Sequence, residues 1–203
     1  EIDKNLIKVL NSNLQMYNNI SIINKDFLKL DVNSLGLDKS IKFKVVANLP
    51  YYITSPIIMK ILEEQWPVES MTFMIQKEVA HRMVANPGKK DYGVLSILVQ
   101  YYCQAKILFD VSPTCFVPRP EVVSTVIKLE NLNSGHEDID DKDLFFRIIK
   151  SAFAQRRKKM INSLLNSGAF SFDKNILKEL LESINIDENR RAETVSISEF
   201  VLI

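Results

Sequence analysis

Apolar residues recur along this chain in two rhythms, and the rhythm changes near residue 131. Before that point, short strand-length apolar runs alternate with amphipathic stretches. Residues 20–23 (Ile-Ser-Ile-Ile) read as a strand leading to Asp26, and 43–47 (Phe-Lys-Val-Val-Ala) as a second strand ending at Asn48-Leu49-Pro50-Tyr51. Ser55 then suits a helix N-cap and Pro56 a first helical position, with Ile57, Ile58, Ile61 and Leu62 as the apolar stripe. A third run, 71–75, leads through Gln76-Lys77-Glu78 into a helix reaching Met83. A polar loop, 86–91, precedes a helix over 94–101. Strand patterns return near 105–109 and 124–129, separated by the proline-rich segment 113–120, which is unsuited to regular structure.

This alternation predicts an α/β layered sheet with an antiparallel pair at its end. In such sheets ligands gather beyond the C-terminal ends of strands, where Asp26, Asn48–Tyr51 and Gln76 fall. Residues 131–141 are polar and acidic, a linker by composition. Beyond them only the helical period remains: Leu144, Phe145, Ile148, Ile149, Ala152 and Phe153 on one face, Ile176, Leu177, Leu180, Leu181 and Ile184 on another. Ser196 with Glu199 forms a capping box for a last turn. The expected organisation is an α/β domain over 1–135 and a small all-α domain over 140–203.

Composition narrows the class without naming a function. The net charge of +1 is unremarkable, but the positive charge is concentrated in Gln155-Arg156-Arg157-Lys158-Lys159. Four consecutive cations repel one another without a counter-charge, so a phosphate backbone is the partner they suggest over a merely solvated face. Arg190 and Arg191 add to this set, as do Lys77, Arg82, Lys89 and Lys90. Cys103 and Cys115 share no metal-ligand spacing and read as reduced thiols; His81 and His136 are isolated, so no metal site is expected. No apolar stretch reaches membrane-spanning length and no signal-peptide pattern is present, which points to the cytoplasm and no membrane partner.

The tetrapeptide Asn48-Leu49-Pro50-Tyr51 carries the sharpest chemistry. An adenine amino group is a poor nucleophile because its lone pair is delocalised into the ring. Accepting hydrogen bonds from both amine hydrogens fixes that nitrogen and aims the lone pair at a methyl donor. The Asn48 side-chain oxygen and the Leu49 carbonyl supply two acceptors, Pro50 stiffens the turn, and Tyr51 can stack on an extruded base. By itself the tetrapeptide reads equally well as an ordinary strand-to-helix turn; its place at a strand end favours chemistry. Phe116 is a candidate second stacking ring, although a lone loop Phe more often packs into a core. Glu1 and Asp26 are candidate carboxylates for a ribose and an adenine amine, each of which alone would read as a solvated acid or helix cap.

Together, six stretches resemble the bacterial small-subunit ribosomal RNA adenine dimethyltransferases, the KsgA family. They are residues 48–56 (Asn-Leu-Pro-Tyr-Tyr-Ile-Thr-Ser-Pro), 76–83 (Gln-Lys-Glu-Val-Ala-His-Arg-Met) and 91–96 (Asp-Tyr-Gly-Val-Leu-Ser), then 116–124 (Phe-Val-Pro-Arg-Pro-Glu-Val-Val-Ser), 152–158 (Ala-Phe-Ala-Gln-Arg-Arg-Lys) and 189–194 (Asn-Arg-Arg-Ala-Glu-Thr). The resemblance implies a Rossmann-like methyltransferase sheet followed by a helical domain that contacts RNA or the ribosome. It implies S-adenosylmethionine as donor, acting on the N6 amino groups of two adjacent adenosines near the 3′ end of small-subunit (16S) rRNA. The partner would be the small ribosomal subunit, met by a monomer. Carried over by position, Glu1, Ile2, Asp26, Phe27 and Asn48 would hold the cofactor. Asn48, Leu49, Pro50, Tyr51 and Phe116 would hold the target base, and Lys77, Arg82, Arg119, Arg156, Arg157, Lys158, Lys159, Arg190 and Arg191 would meet RNA.

The family opens with a strand and a Gly-rich loop, whereas none of Gly36, Gly88, Gly93, Gly135 and Gly168 makes a Gly-x-Gly here. The chain begins at Glu1-Ile2-Asp3 without an initiator Met. The expectation is therefore an N-terminally truncated form, lacking the first strand and loop, with impaired cofactor binding and little activity of its own. Three rivals stand beside this reading: a large-subunit rRNA adenine methyltransferase of the macrolide-resistance type, a non-catalytic RNA- or ribosome-binding module, and a DNA adenine methyltransferase.

Overall fold

A computed structural model describes residues 1–36, 41–132, 139–171 and 173–203. Its centre is a four-stranded mixed sheet of β1 (Phe43–Asn48), β2 (Val68–Gln76), β3 (Cys103–Val111) and β4 (Ser124–Asn131), in the order β1-β2-β4-β3. β1 and β2 are parallel, joined by the crossover helix α2 (Thr54–Glu63); β4 runs antiparallel to both β2 and β3. The predicted antiparallel pair at the end of the sheet is thus present, and each strand extends beyond its apolar kernel.

This topology decides where the chemistry lies. Asn48 pairs level with Met74, Gln76 with Ser124, and Val111 also with Ser124. The ends of β1, β2 and β3 and the start of β4 therefore share one edge. The β3–β4 connection, residues 112–123, is delivered there as well.

Two local expectations change. Residues 20–23 form no strand, because their hydrogen bonds run to other partners: Ile23 O accepts from the Glu1 α-amino group at 3.1 Å and from Lys25 N at 3.2 Å. Asp26 consequently lies not at a strand end but at the head of a short 3-10 turn, accepting from Leu28 N at 3.0 Å. Helix α2 starts one residue before Ser55, led in by a 3-10 turn over Tyr51–Ile53, and Thr54 Oγ1 donates to Pro50 O at 3.1 Å. Pro56 still costs little there, since the first helical N–H groups have no intrahelical acceptor.

The N-terminal helix α1 (Lys4–Leu14) is capped by Asp3 and buries no residue, and Val46 on β1 is 78% exposed. Beyond the sheet come α3 (Lys77–Met83) and α4 (Val94–Tyr102), then α5 (Lys142–Ala152), α6 (Met160–Asn166), α7 (Lys174–Ser183) and α8 (Ile197–Leu202). The C-terminal segment is all helical, as its period predicts. On α7, Leu177 and Leu181 are buried, but Ile176 and Leu180 face solvent. This helix packs along one narrow i, i+4 stripe, against α6, so the wider apolar face expected for it is only half used. Tyr101 of α4 meets Phe145 and Phe146 of α5 with ring centroids 5.2 and 5.6 Å apart, and Tyr92 donates its hydroxyl to Val195 O at 3.0 Å. One buried apolar cluster runs unbroken from sheet to helices. Residues 133–138 of the predicted linker, His136 among them, lie outside the described residues.

The last turn is locked by charge. Arg190 donates to both carboxylate oxygens of Glu199 and to Thr194 O, while Glu199 Oε2 accepts from Ser196 N at 2.7 Å and Ser196 Oγ at 2.9 Å. The Arg190 bond, with the Ser196 donors adding to it, lowers the Glu199 pKa from an ordinary 4.5 to about 2. A depressed folded-state pKa contributes stability that is complete above the unfolded value and lost as pH falls through the folded one. The Tm of the parent should therefore decline more steeply than that of Glu199→Gln between about pH 4.5 and about pH 2, as read by thermal melts across that window.

Candidate functional site

At the shared sheet edge Asn48, Leu49, Pro50, Tyr51, Phe116, Pro118 and Pro120 line a cleft of about 280 Å³. The five residues singled out for holding a base, from two segments far apart in sequence, are thus brought together. Asn48 and Pro50 are exposed at the mouth, Tyr51 and Phe116 are half-buried, and Leu49 is buried as the anchor. The Leu49 N–H donates to Met74 O at 3.2 Å, continuing the β1–β2 ladder one residue past the strand. That bond fixes the direction in which the following turn leaves the sheet. The Pro50 carbonyl is engaged by Thr54, and the Tyr51 hydroxyl lies 3.0 Å from Ser124 Oγ. The opposite wall is stiffened by proline: Pro113 opens a 3-10 turn capped by Ser112, and Val117–Pro118 is a cis peptide.

The predicted cofactor residues occupy a second corner. Asn24 Nδ2 donates to Glu1 O at 2.9 Å and Ile2 O at 3.3 Å, so Glu1 and Ile2 are tied to the segment leading into Asp26. Glu1 Oε1 accepts from Ile2 N and Asp3 N at 2.8 and 2.9 Å, bonds that lower its pKa. Asp26 uses Oδ1 to cap Leu28, and the neighbouring Phe27 ring packs on Trp66 at 5.2 Å. In both carboxylates the self-capping bonds occupy one oxygen, so an acceptor remains for a hydroxyl or an amine. This pair of acceptors fits the hydroxyls of a ribose and the amino group of an adenine.

The cations divide by their partners. Arg190 is committed to Glu199, and Lys77 Nζ lies 2.6 Å from Asp110, which also accepts from Thr125 at 2.6 Å. Arg156 pairs with Glu193 at 3.1 Å, and Lys159 donates to Asn189 at 2.5 Å. Arg82, Arg119, Arg157, Lys158 and Arg191 are exposed. The run 155–159 forms the turn between α5 and α6, pinned where Met160 N donates to Arg190 O at 2.8 Å. Arg82, Lys90 and Arg156 also line a groove of about 720 Å³ with Tyr92 and Phe153.

Sequence reading missed Ser124, Pro118 and Pro120 as parts of this site. The two prolines were visible as loop stiffeners, but Ser124 was concealed as the first residue of a strand. Among the described residues no group of three or more His, Cys, Asp and Glu is placed to hold a metal, and no helix is long and apolar enough to cross a membrane.

The family model described as ribosomal RNA adenine dimethylase matches residues 1–202. The chain is 52% identical over 202 residues to the ribosomal RNA small subunit methyltransferase A of Alkaliphilus oremlandii (strain OhILAs), an alignment covering 98% of this chain and 70% of that protein. It is 48% identical over 205 residues to the protein of the same name from Clostridioides difficile (strain 630), covering 100% of this chain and 70% of that one. Among solved structures, a dimethyladenosine transferase from Plasmodium falciparum superposes with a TM-score of 0.81 at 23% identity, over 100% of this chain and 78% of that one. The 23S rRNA methyltransferase ErmE superposes at 0.66 with 21% identity, over the same shares. At those identities the two structures speak to the fold alone.

Proposed function

The chain belongs to the ribosomal RNA adenine dimethylase family, and on that premise we propose that it takes part in dimethylating the N6 amino groups of two adjacent adenosines near the 3′ end of small-subunit rRNA. The observation that carries this reading is the convergence of Asn48, Leu49, Pro50, Tyr51 and Phe116 on one cleft. The choice of the small subunit over the large one rests on relatives 45–52% identical that are named for it.

S-adenosylmethionine supplies an electrophilic methyl group, and Glu1, Ile2, Asp26 and Phe27 are the residues we assign to its ribose and adenine. Asn48, which lines the cleft, is assigned to both tasks. Its amide oxygen and the Leu49 carbonyl accept from the two amine hydrogens, since the Pro50 carbonyl is already engaged by Thr54. Tyr51 and Phe116 hold the extruded base between them, which fixes the nitrogen on the line of attack. No strong base is required, because the nitrogen becomes acidic only as its new N–C bond forms. We further propose that residues 1–135 carry methyl transfer and 140–203 contact RNA. The protein then works in the cytoplasm as a monomer. Residues 1–203 alone, which contain no Gly-x-Gly loop, hold the cofactor weakly.

The deciding experiment is methyl transfer from labelled S-adenosylmethionine to under-methylated small subunits, with dimethyladenosine counted after digestion, using this chain and the complete gene product. Transfer by the complete product supports the reading; transfer only to large subunits or to duplex DNA ends it.

The exposed cations predict a separate result. Non-specific phosphate contacts make log K fall with log salt by about 0.9 per phosphate neutralised on duplex nucleic acid, and somewhat less on single strands. Replacing Arg157 and Lys158 with glutamine should reduce that slope by about 1–2, read by filter binding of a small-subunit RNA fragment across a salt series. Replacing Arg190 should instead lower Tm, because its charge is held by Glu199.

A further inference from the structure

We propose that Ser124 is a positioning residue for methyl transfer, holding the Tyr51 ring against the cleft through the hydroxyl pair at 3.0 Å. The inference rests on the reading of the cleft given above and adds a residue to it.

Ser124 is 1% exposed. A hydroxyl so buried is costly unless it is hydrogen-bonded, and Tyr51, 73 residues earlier, provides the partner. The position is also held from both sides, because Ser124 pairs with Gln76 on one and Val111 on the other. Thr125, on the opposite face by strand alternation, donates to Asp110, which holds Lys77. The start of β4 is therefore immobilised on both faces.

Tyr51, by contrast, sits in a 3-10 turn between a strand and a helix, and its ring is only half-buried. Its apolar edge faces the same cleft as Phe116, and its hydroxyl reaches back to the sheet. A phenylalanine would supply the same stacking surface; the tyrosine hydroxyl adds a fixed direction. Ser124 also closes the segment that carries Phe116, so a single residue relates the two aromatic walls, one by hydrogen bond and one by chain connection. Removing its hydroxyl frees the Tyr51 ring to turn while leaving the wall materials in place. A displacement of that kind lowers the rate of the step that needs alignment more than it lowers RNA binding.

The test is a double-mutant cycle in the complete gene product, with Ser124→Ala, Tyr51→Phe, the pair, and Tyr51→Ala, assayed on under-methylated small subunits with Tm measured alongside. Ser124→Ala and Tyr51→Phe should each lower kcat about tenfold with KM for the subunit within about twofold, the scale of one lost hydrogen bond that orients a reacting group. The double variant should also lose about tenfold, because both changes remove one bond. Multiplying losses in the pair, or a Ser124→Ala enzyme with lowered Tm but parental kcat, overturns the inference. The wider reading fails separately: if Tyr51→Ala keeps parental turnover, the cleft does not hold the base. If Tyr51→Ala is inactive while Ser124→Ala is normal, only the role of Ser124 is lost.

Discussion

Asn48→Ala in the complete gene product is expected to lower kcat for adenine methylation by about 10²–10³-fold, the scale on which removing one preorganised polar group from a reacting centre is felt. The amide oxygen is one of two acceptors that fix the amine, and alanine leaves that hydrogen to water. Stability should scarcely change, because Asn48 is exposed and its backbone place in the β1–β2 ladder is kept. A Tm shift equivalent to less than about 0.5 kcal/mol is expected. Incorporation of labelled methyl into digested rRNA gives the rate, and a melt gives the control. Activity within a few-fold of the parent would remove Asn48 from the chemistry.

Phe73→Ala should be the most damaging change to the fold. Phe73 is fully buried at the middle of β2, level with Ala47 of β1 and Ile127 of β4. Truncating a buried phenylalanine costs about 3–5 kcal/mol, through lost transfer energy and the cavity left behind. A domain of ordinary stability has only about 5–15 kcal/mol in total. A urea midpoint lowered in proportion, or a chain recovered insoluble, is expected. Methyl transfer should fall with the folded fraction, since β2 sets the level at which Asn48 leaves the sheet.

Much of this arrangement was legible beforehand, and what was not has definite causes. Strands β1 to β4 announced themselves as apolar runs, and the Ser196–Glu199 capping box was readable because its two members are local. The misread run at 20–23 shows the limit: its residues have strand propensity, but a strand also needs a neighbour, and pairing is decided elsewhere in the chain. The start of α2 was displaced because Thr54 bonds backward to Pro50, an interaction no propensity encodes. In the site, Asn48–Tyr51 could be read as one local motif with a chemical purpose. Phe116 could be suspected only from its proline setting and the resemblance, since what carries it to the cleft is the antiparallel return of β4. Ser124 was invisible, because a strand-initial serine is ordinary until its partner is known. The cations were legible as a set but not as individuals: the same sequence run contains Arg156 held by Glu193, Lys159 held by the Asn189 amide, and residues that face water.

The cleft is also built from parts of unequal freedom. Its Asn48 side is written into a parallel ladder, where a one-residue slip would turn every side chain of β1 to the other face. Its Phe116 side hangs on residues 112–123, a connection with no strand pairing of its own. Mutations can therefore accumulate in that loop, altering which nucleotide neighbourhood is welcomed, while the acceptors that make an amine reactive are inherited unchanged. A lineage adapting to a new RNA would be expected to rewrite the second wall and leave the first alone.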